Sequence, residues 1–423
     1  MKDWYDPASN SPVGCTTAVP ISSGKYKECG ILLCWRMAYR IVECAAKIAL
    51  SNRYGMLDVT DYYTIEMNST HKSTAGKLAA VLRGIPRVEL AHTPTPLEYM
   101  PRLSAKYDGI ELYVKRDDCT GLGFGGNKVR QIEFYLGDAL DKGCDTVLST
   151  GAVQSNYMRT IAAAASNLGL ECHIQLEDRV DNQSTDYQNS GNRMLTGMFG
   201  AAIHHYADGE DEQGADGEIN RIADELKQKG RKPYVIPLMP VKEPKGALGY
   251  MVAAQELIEQ FAQQKFAPDL IVVGSGSGLT HAGLLFGLRL HGSSVAVLGV
   301  CVRRNKALQF SRIKSHCSNL SAMLKLSTLV KDEDIWTDDS ALAPGYGQMS
   351  ALVNRAIQMA ATCEGLLLDP VYSGKTLACA IKLIEDGSLS RFRKIVVIHT
   401  GGAPAIFAYR NEMARIGQID QSR

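Results

Sequence analysis

The sequence predicts an α/β protein whose mostly parallel sheet is covered on both faces by helices. Two observations carry this. Short apolar runs such as DTVLSTG (145–151), DLIVVG (269–274) and KIVVIHTGG (394–402) end in glycine, and stretches of helical period and length lie between runs of this kind. Strands buried on both faces read as unbroken apolar runs, and a helix crossing between two of them makes them parallel. In such sheets a ligand sits at the carboxyl ends of the strands.

The elements follow in order from about residue 85. GIELYVKRDD (109–118) reads as a short strand running into acidic, glycine-rich turn chemistry. VRQIEFYLGDALDKG (129–143) is a helix with a glycine stop, and DTVLSTG a buried strand. SNYMRTIAAAASNLGL (155–170) is an alanine-rich helix, again ended by glycine, and ECHIQLED (171–178) the next strand. The polar, acidic residues 206–219 read as an exposed loop before a helix at 218–230 and a strand at 232–238. A helix at 247–264 precedes the strand, glycine loop and helix of 269–290. SVAVLGVCV (294–302) and KIVVIHTGG are the remaining clear strands.

A chain of 423 residues has room for two or three domains, or for one large α/β unit with a lobe. Its formal charge of +1 and its dispersed lysines and arginines make nucleic acid or an anionic membrane a poor main partner. Eleven cysteines, oddly spaced and without a CxxC pair, read as reduced buried thiols rather than a disulfide scaffold or a zinc site. The most apolar early stretch, 31–50, contains Arg36, Arg40, Glu43 and Lys47, so it reads as an amphipathic helix and not as a membrane span. Residues 1–66 lack the strand–helix rhythm and form an appendage of unknown role. No signal peptide is evident, which favours a cytoplasmic location, with organelle targeting by the appendage left open.

Three motifs carry chemistry. GSGSGLTHAG (274–283) joins a strand to a helix, and backbone N–H groups at a helix start bind an anion without a basic residue. It lacks the Gly-Lys-Ser/Thr of a P-loop, and a bare glycine turn is the plain alternative. In GFGGNKVR (123–130), Lys128 opens a helix behind three glycines. The helix dipole and desolvation lower the pKa of such an amine, which can then attack a carbonyl. A surface lysine beside a mobile loop is the alternative there. In GAVQSNYMR (151–159), Ser155 and Asn156 start a helix directly after a strand, and Ser155 is either a plain N-cap or a group at the substrate. An imine-forming lysine together with a neutral phosphate cup suggests pyridoxal 5'-phosphate.

These residues, with PTPLEYMPRL (94–103), KRDDCTG (115–121), GALGY (246–250), GYG (345–347), LLDPVYSGK (367–375) and IHTGGAPAIFAY (398–409), resemble one family in order over about 80–410. It is the pyridoxal-phosphate enzymes that include 1-aminocyclopropane-1-carboxylate deaminase, D-cysteine desulfhydrase and L-cysteate sulfo-lyase, of the tryptophan-synthase-β-like fold type II. The resemblance implies two open, twisted, mostly parallel sheets flanked by helices, with the cofactor in an interdomain cleft. It implies a large domain from 67–144 and 255–423, a small inserted domain from 145–254, and a homodimer acting on a small amino acid. It makes Lys128 the covalent anchor and a catalytic residue. Asn156, Gly276, Ser277, Gly278, Thr280, Ser373 and Thr400 hold the cofactor. Ser155, Tyr346 and Tyr372 are catalytic, and Gln154, Ser155 and Tyr157 lie on the substrate side. No metal is implied.

Ser373 and Thr400 stand where the deaminase has glutamate and leucine, which resembles the desulfhydrase. A hydroxyl leaves the ring nitrogen largely neutral, enough where the β-substituent is already a good leaving group. The reading is therefore α,β-elimination, with D-cysteine first and L-cysteate, the cyclopropane amino acid or another β-substituted amino acid as alternatives. Arg159, Arg303 and Arg304 are candidates to meet a sulfonate, the last two reading more naturally as solvated. Three places depart from the family pattern: Tyr157 replaces a histidine, LMPVKEPK (238–245) replaces a shorter turn, and Leu279 replaces a glycine that reaches positive φ easily. A non-catalytic scaffold that kept the fold is the competing class, and a nicotinamide oxidoreductase the other glycine-loop reading.

Overall fold

Two sheets organise the residues that the structure, a computed structural model, describes: 76–237 and 242–418. The readings for 1–66, the stretch 31–50 within it, and residues 238–241 of the turn at 238–245 lie outside the described residues. The strands are β1 (Leu97–Tyr99), β2 (Glu111–Arg116), β3 (Thr146–Ala152), β4 (Glu171–Glu177), β5 (Ala202–Tyr206), β6 (Pro233–Val235), β7 (Leu270–Ser275), β8 (Ala296–Cys301), β9 (Trp336–Asp338) and β10 (Lys394–His399). One sheet has the order β1-β2-β10-β7-β8-β9 and the other β5-β4-β3-β6. Every pairing is parallel except that of the edge strand β1 with β2. The four-stranded sheet is drawn from 146–235, and the six-stranded sheet from the chain on either side of it.

The helices that place the site are α1 (Asn127–Asp141), α2 (Asn156–Leu168), α3 (Gly191–Met198), α4 (Glu212–Gln228), α5 (Leu248–Gln263), α6 (Leu279–Leu290), α7 (Lys306–Leu324), α8 (Ala351–Glu364) and α9 (Ser373–Glu385). Side chains alternate across a strand, so β7 sends Leu270 and Val272 to one core and Ile271 and Val273 to the other. The first core holds α8 and α9, the second α1, α2, α5 and α6. α5 and α6 approach closely at Gly283, where a Cβ would lie 2.1 Å from the Ala247 carbonyl oxygen.

A buried ionic knot fixes the register of α1. Arg130 donates to Asp117 Oδ1 at 2.9 Å and to Glu256 Oε2 at 2.9 Å, and Lys115 donates to Glu256 Oε1 at 2.5 Å. Tyr250 adds a hydroxyl to Asp117. β2, α1 and α5 are thus tied together two residues beyond Lys128. Buried charges demand this pairing, because an unpaired one costs several kcal/mol, on the order of 3–5.

One element differs from the sequence reading. α4 begins at Glu212 within the stretch expected to be an open loop, and Asp211 caps it by accepting from the Gly214 N–H at 2.8 Å. Gly214 and Gly217 interrupt the helical pattern in the sequence, but the cap and the burial of Ala215 hold the extra turns. The edge strands β1, β5 and β9 also went unread; they are short and only partly buried.

Candidate functional site

A cleft of about 970 Å³ lies at the carboxyl ends of β3, β4, β7, β8 and β10. The segments that follow those strands supply its walls. Lys128, Ser155, Asn156, Tyr157, Gly276, Ser277, Gly278, Thr280, Tyr346, Tyr372 and Thr400 all line it. Gln154 and Ser373 do not.

Lys128 is in the first turn of α1, behind Gly126 at φ +114°. It is partly buried and lines the cleft, and burial lowers its pKa to about 8. Nζ stands 5.5 Å from the centroid of the Tyr157 ring and 3.5 Å from Gln131 Oε1. The Tyr157 hydroxyl is buried without a hydrogen-bond partner.

Across the cleft, β7 runs into the glycine loop and α6. Gly278 takes the strained backbone at φ +97°, and Leu279 is already helical, so the side chain at 279 meets no conformational obstacle. The expected difficulty at Leu279 is thereby removed. α6 has no side-chain cap, so its first N–H groups remain for a ligand. From behind, His316 Nε2 donates to the Ser277 carbonyl at 2.9 Å and Gln309 Nε2 to the Gly276 carbonyl at 3.2 Å. Burial holds His316 near pKa 4, so it braces the loop as a neutral ring. Thr280 Oγ1 accepts from Asn127 Nδ2 at 2.8 Å and from Gln131 Nε2 at 2.7 Å. Two accepted bonds leave the threonine proton to be donated to an anion.

Ser155 caps α2, accepting from Tyr157 N at 3.2 Å and Met158 N at 3.4 Å, with its own proton uncommitted. Asn156 Oδ1 is held by Asn192 Nδ2 at 3.0 Å, which leaves the Asn156 NH₂ as the donor available to the cleft. The Tyr346 and Tyr372 hydroxyls are 2.9 Å apart. Burial raises the pKa of both, so both carry protons at neutral pH.

Several residues stand elsewhere than the sequence reading put them. Gln154 spends its amide on the Tyr187 and Ser190 carbonyls, at 2.5 and 3.0 Å, and on the Asn192 N–H at 2.9 Å. It clamps the start of α3 and has nothing left for a substrate. Ser373 donates to Asp369 Oδ1 at 2.6 Å and accepts from Asp369 N at 2.8 Å, so only Thr400 of the expected hydroxyl pair reaches the cleft. Arg159 is fully buried, donates to the Gly125 carbonyl at 2.6 Å, and braces the turn before Lys128 without lining the cleft. Arg303 and Arg304, expected to be solvated, do line it, together with Arg179, Arg312 and Glu212. Asn127, Gln131 and Asn192 were also unread, although Asn127 and Gln131 sit four apart on α1 and so share one face.

The site fits a phosphorylated aldehyde. An uncapped helix start and a threonine proton await the phosphate, and a buried amine with a pKa near 8 awaits the carbonyl.

The chain is similar to known proteins over most of its length. The family model described as pyridoxal-phosphate dependent enzyme matches residues 88–401. A D-cysteine desulfhydrase of Salmonella choleraesuis (strain SC-B67) is 41% identical over 328 residues, covering 78% of this chain and 97% of its own. One of Salmonella typhi is 40% identical over the same share. A crystal structure described as an ACC deaminase homologue is 36% identical with a TM-score of 0.71, covering 80% of this chain and 99% of the other. An O-ureido-L-serine synthase structure, 19% identical with a TM-score of 0.53, covers 78% and 94% and shares the fold.

Proposed function

Since the chain belongs to the family of pyridoxal-phosphate dependent enzymes, we propose that it catalyses α,β-elimination on a small amino acid, D-cysteine first, giving pyruvate, ammonia and sulfide. The observation that carries this is Lys128 facing the uncapped start of α6 across one cleft, with two protonated tyrosines on its wall. The desulfhydrase relatives support the choice of substrate.

Lys128 and the loop Gly276–Thr280 would hold pyridoxal phosphate, which when bound would supply an electron sink for charge developing at the substrate α-carbon. Asn156, through its NH₂, and Thr400 both line the cleft and would hold the cofactor there. The substrate carboxylate takes the start of α2, where Ser155 donates its proton. Lys128, freed when the substrate's amine takes its place and half neutral near pH 8, would remove the α-proton. Tyr372, linked to Tyr346, orients the leaving group or hands it a proton. Water then hydrolyses the released enamine to pyruvate and ammonia.

The same reading takes 67–144 with 255–423 as a large domain and 145–254 as a small one, in a cytoplasmic homodimer. The origin of the four-stranded sheet in 146–235 supports the division. Among the described residues no helix is long and apolar enough to cross a membrane. Light scattering checks the dimer.

The test is a parallel assay of the purified protein on D-cysteine, L-cysteate, D-serine and 1-aminocyclopropane-1-carboxylate. Pyruvate with sulfide from D-cysteine is the expected result. Sulfite from L-cysteate or 2-oxobutyrate from the cyclopropane would select those alternatives, and no product from any would return the scaffold reading.

A further inference from the structure

Lys375 is 0% exposed and does not line the cleft. Its amine donates to the Leu342 carbonyl at 2.7 Å and to the Gly345 carbonyl at 2.6 Å. Among the described residues no carboxylate pairs with it. Lys115 is buried as deeply, but there Glu256 takes the charge. Lys375 also stands in the first turn of α9, where the helix dipole opposes a cation. A buried ammonium without a counter-charge is costly, and the two carbonyl bonds are what offsets it.

Those carbonyls belong to a segment, 339–350, that has no helix or strand and lies between β9 and α8. Tyr346 follows Gly345 in that segment and lines the cleft. On its other side, the Gly347 carbonyl accepts from the Tyr409 hydroxyl at 2.8 Å. Gly347 takes φ +67°, and a Cβ there would lie 2.5 Å from Val180. Tyr346 is therefore held from both sides, and Lys375 is the group that holds it from before. Tyr372 stands at the start of α9, three residues ahead of Lys375. One turn of α9 thus carries Tyr372 through the chain itself and Tyr346 through the Lys375 amine. The two hydroxyls meet at 2.9 Å, with their rings at 76° to each other. We infer that Lys375 is a positioning residue: it hangs Tyr346 from the turn that bears Tyr372, and so sets the two hydroxyls together at the leaving group. The inference rests on the elimination reading, in which this pair serves the leaving group, and deepens it. The Lys375 amine is outside the cleft, so its effect reaches the chemistry through Tyr346.

The test compares the holoenzyme with Lys375→Met, Lys375→Gln, Tyr346→Phe and the double variant of Lys375→Met with Tyr346→Phe. Hydrogen exchange read by mass spectrometry follows residues 339–350, and steady-state kinetics on D-cysteine follow kcat and KM. In Lys375→Met, exchange across 339–350 should quicken about tenfold or more while β3 exchanges as before, the range for losing hydrogen bonds from a charged donor. Its kcat should fall about tenfold with KM within about twofold. Lys375→Gln, which keeps a shorter donor, restores part of both. With Tyr346 already replaced by phenylalanine, Lys375→Met should lower kcat no further. Unchanged exchange, unchanged kcat, or the same fold-loss of kcat in both backgrounds would each overturn the positioning role; the last is what a merely structural lysine gives. Should Lys375→Met fail to fold, Lys375→Gln carries the same comparisons, alone and with Tyr346→Phe. Should the unmodified protein eliminate no amino acid at all, the elimination reading falls; faster exchange confined to 339–350 would still support the tether on Tyr346, and unchanged exchange would still overturn it.

Discussion

The Lys128 amine rests 5.5 Å from the centre of the Tyr157 ring, and burial alone accounts for its lowered pKa, about 8. Covalent loading requires the neutral amine. The loading rate of cofactor-free protein therefore rises about tenfold per unit between about pH 6 and 7 and levels off above about 8. Stopped-flow absorbance across that range checks it. A rate still climbing past about pH 10 would show an ordinary, solvated lysine.

Ser155 has two roles that substitution can separate. Asparagine caps a helix as well as serine does, whereas alanine costs about 1 kcal/mol. Ser155→Ala should lower the unfolding free energy by about that much, and Ser155→Asn by less than about 0.5 kcal/mol. If Ser155 also moves a proton or holds the substrate, Ser155→Asn still loses on the order of 100-fold in kcat/KM. Denaturant melts and steady-state kinetics on both variants separate the cap from the chemistry.

The tyrosine pair shares one hydrogen bond, so its members act together. Tyr372→Phe should cost on the order of 100-fold in kcat with a thiol leaving group. Adding Tyr346→Phe should cost little more, because residues acting as a unit are not additive. A double variant whose loss is the product of the two single losses would argue for two independent pocket walls.

Arg130 holds Asp117 and Glu256 in the knot beneath α1. Arg130→Met removes the guanidinium that both carboxylates share, leaving Glu256 with Lys115 and Asp117 with Tyr250, and should lower stability by about 3 kcal/mol. In the intact protein the knot lowers the pKa of both carboxyls, despite the opposing pull of burial. A depressed carboxyl stabilises above its unfolded pKa, so this contribution is present above about pH 4.5 and drains away as pH falls through the folded values. Melts between about pH 2 and 6 should show the intact protein losing more stability on acidification than the variant.

The fold was legible where backbone and burial leave one choice. β3 and β7 have glycine next to their last residue, β10 is followed by Gly401 and Gly402, and α2 is bounded by Ser155 and Gly169. The glycine loop and the α2 cap were readable because each follows a strand end, and the lysine because it opens a helix behind glycines. Other parts depend on side-chain choices that no local pattern reveals. Ser373 turns to Asp369 rather than the cleft, and Gln154 binds carbonyls from a segment more than thirty residues away. Glu212 was hidden by the glycines that follow it, and with it the reason Arg303 and Arg304 face inward.

Lys375 is a rival to Lys128 as the covalent anchor. Lys375 is also buried, and burial lowers its pKa to about 8. It donates to the Leu342 and Gly345 carbonyls, at 2.7 and 2.6 Å, and does not line the cleft. The most direct measurement is to reduce the holoenzyme with borohydride, digest it, and find by mass spectrometry which lysine carries the cofactor. Modification of Lys128 alone is the predicted result. Modification of Lys375 or another lysine, or a cofactor that washes away after reduction, would contradict the account of this cleft.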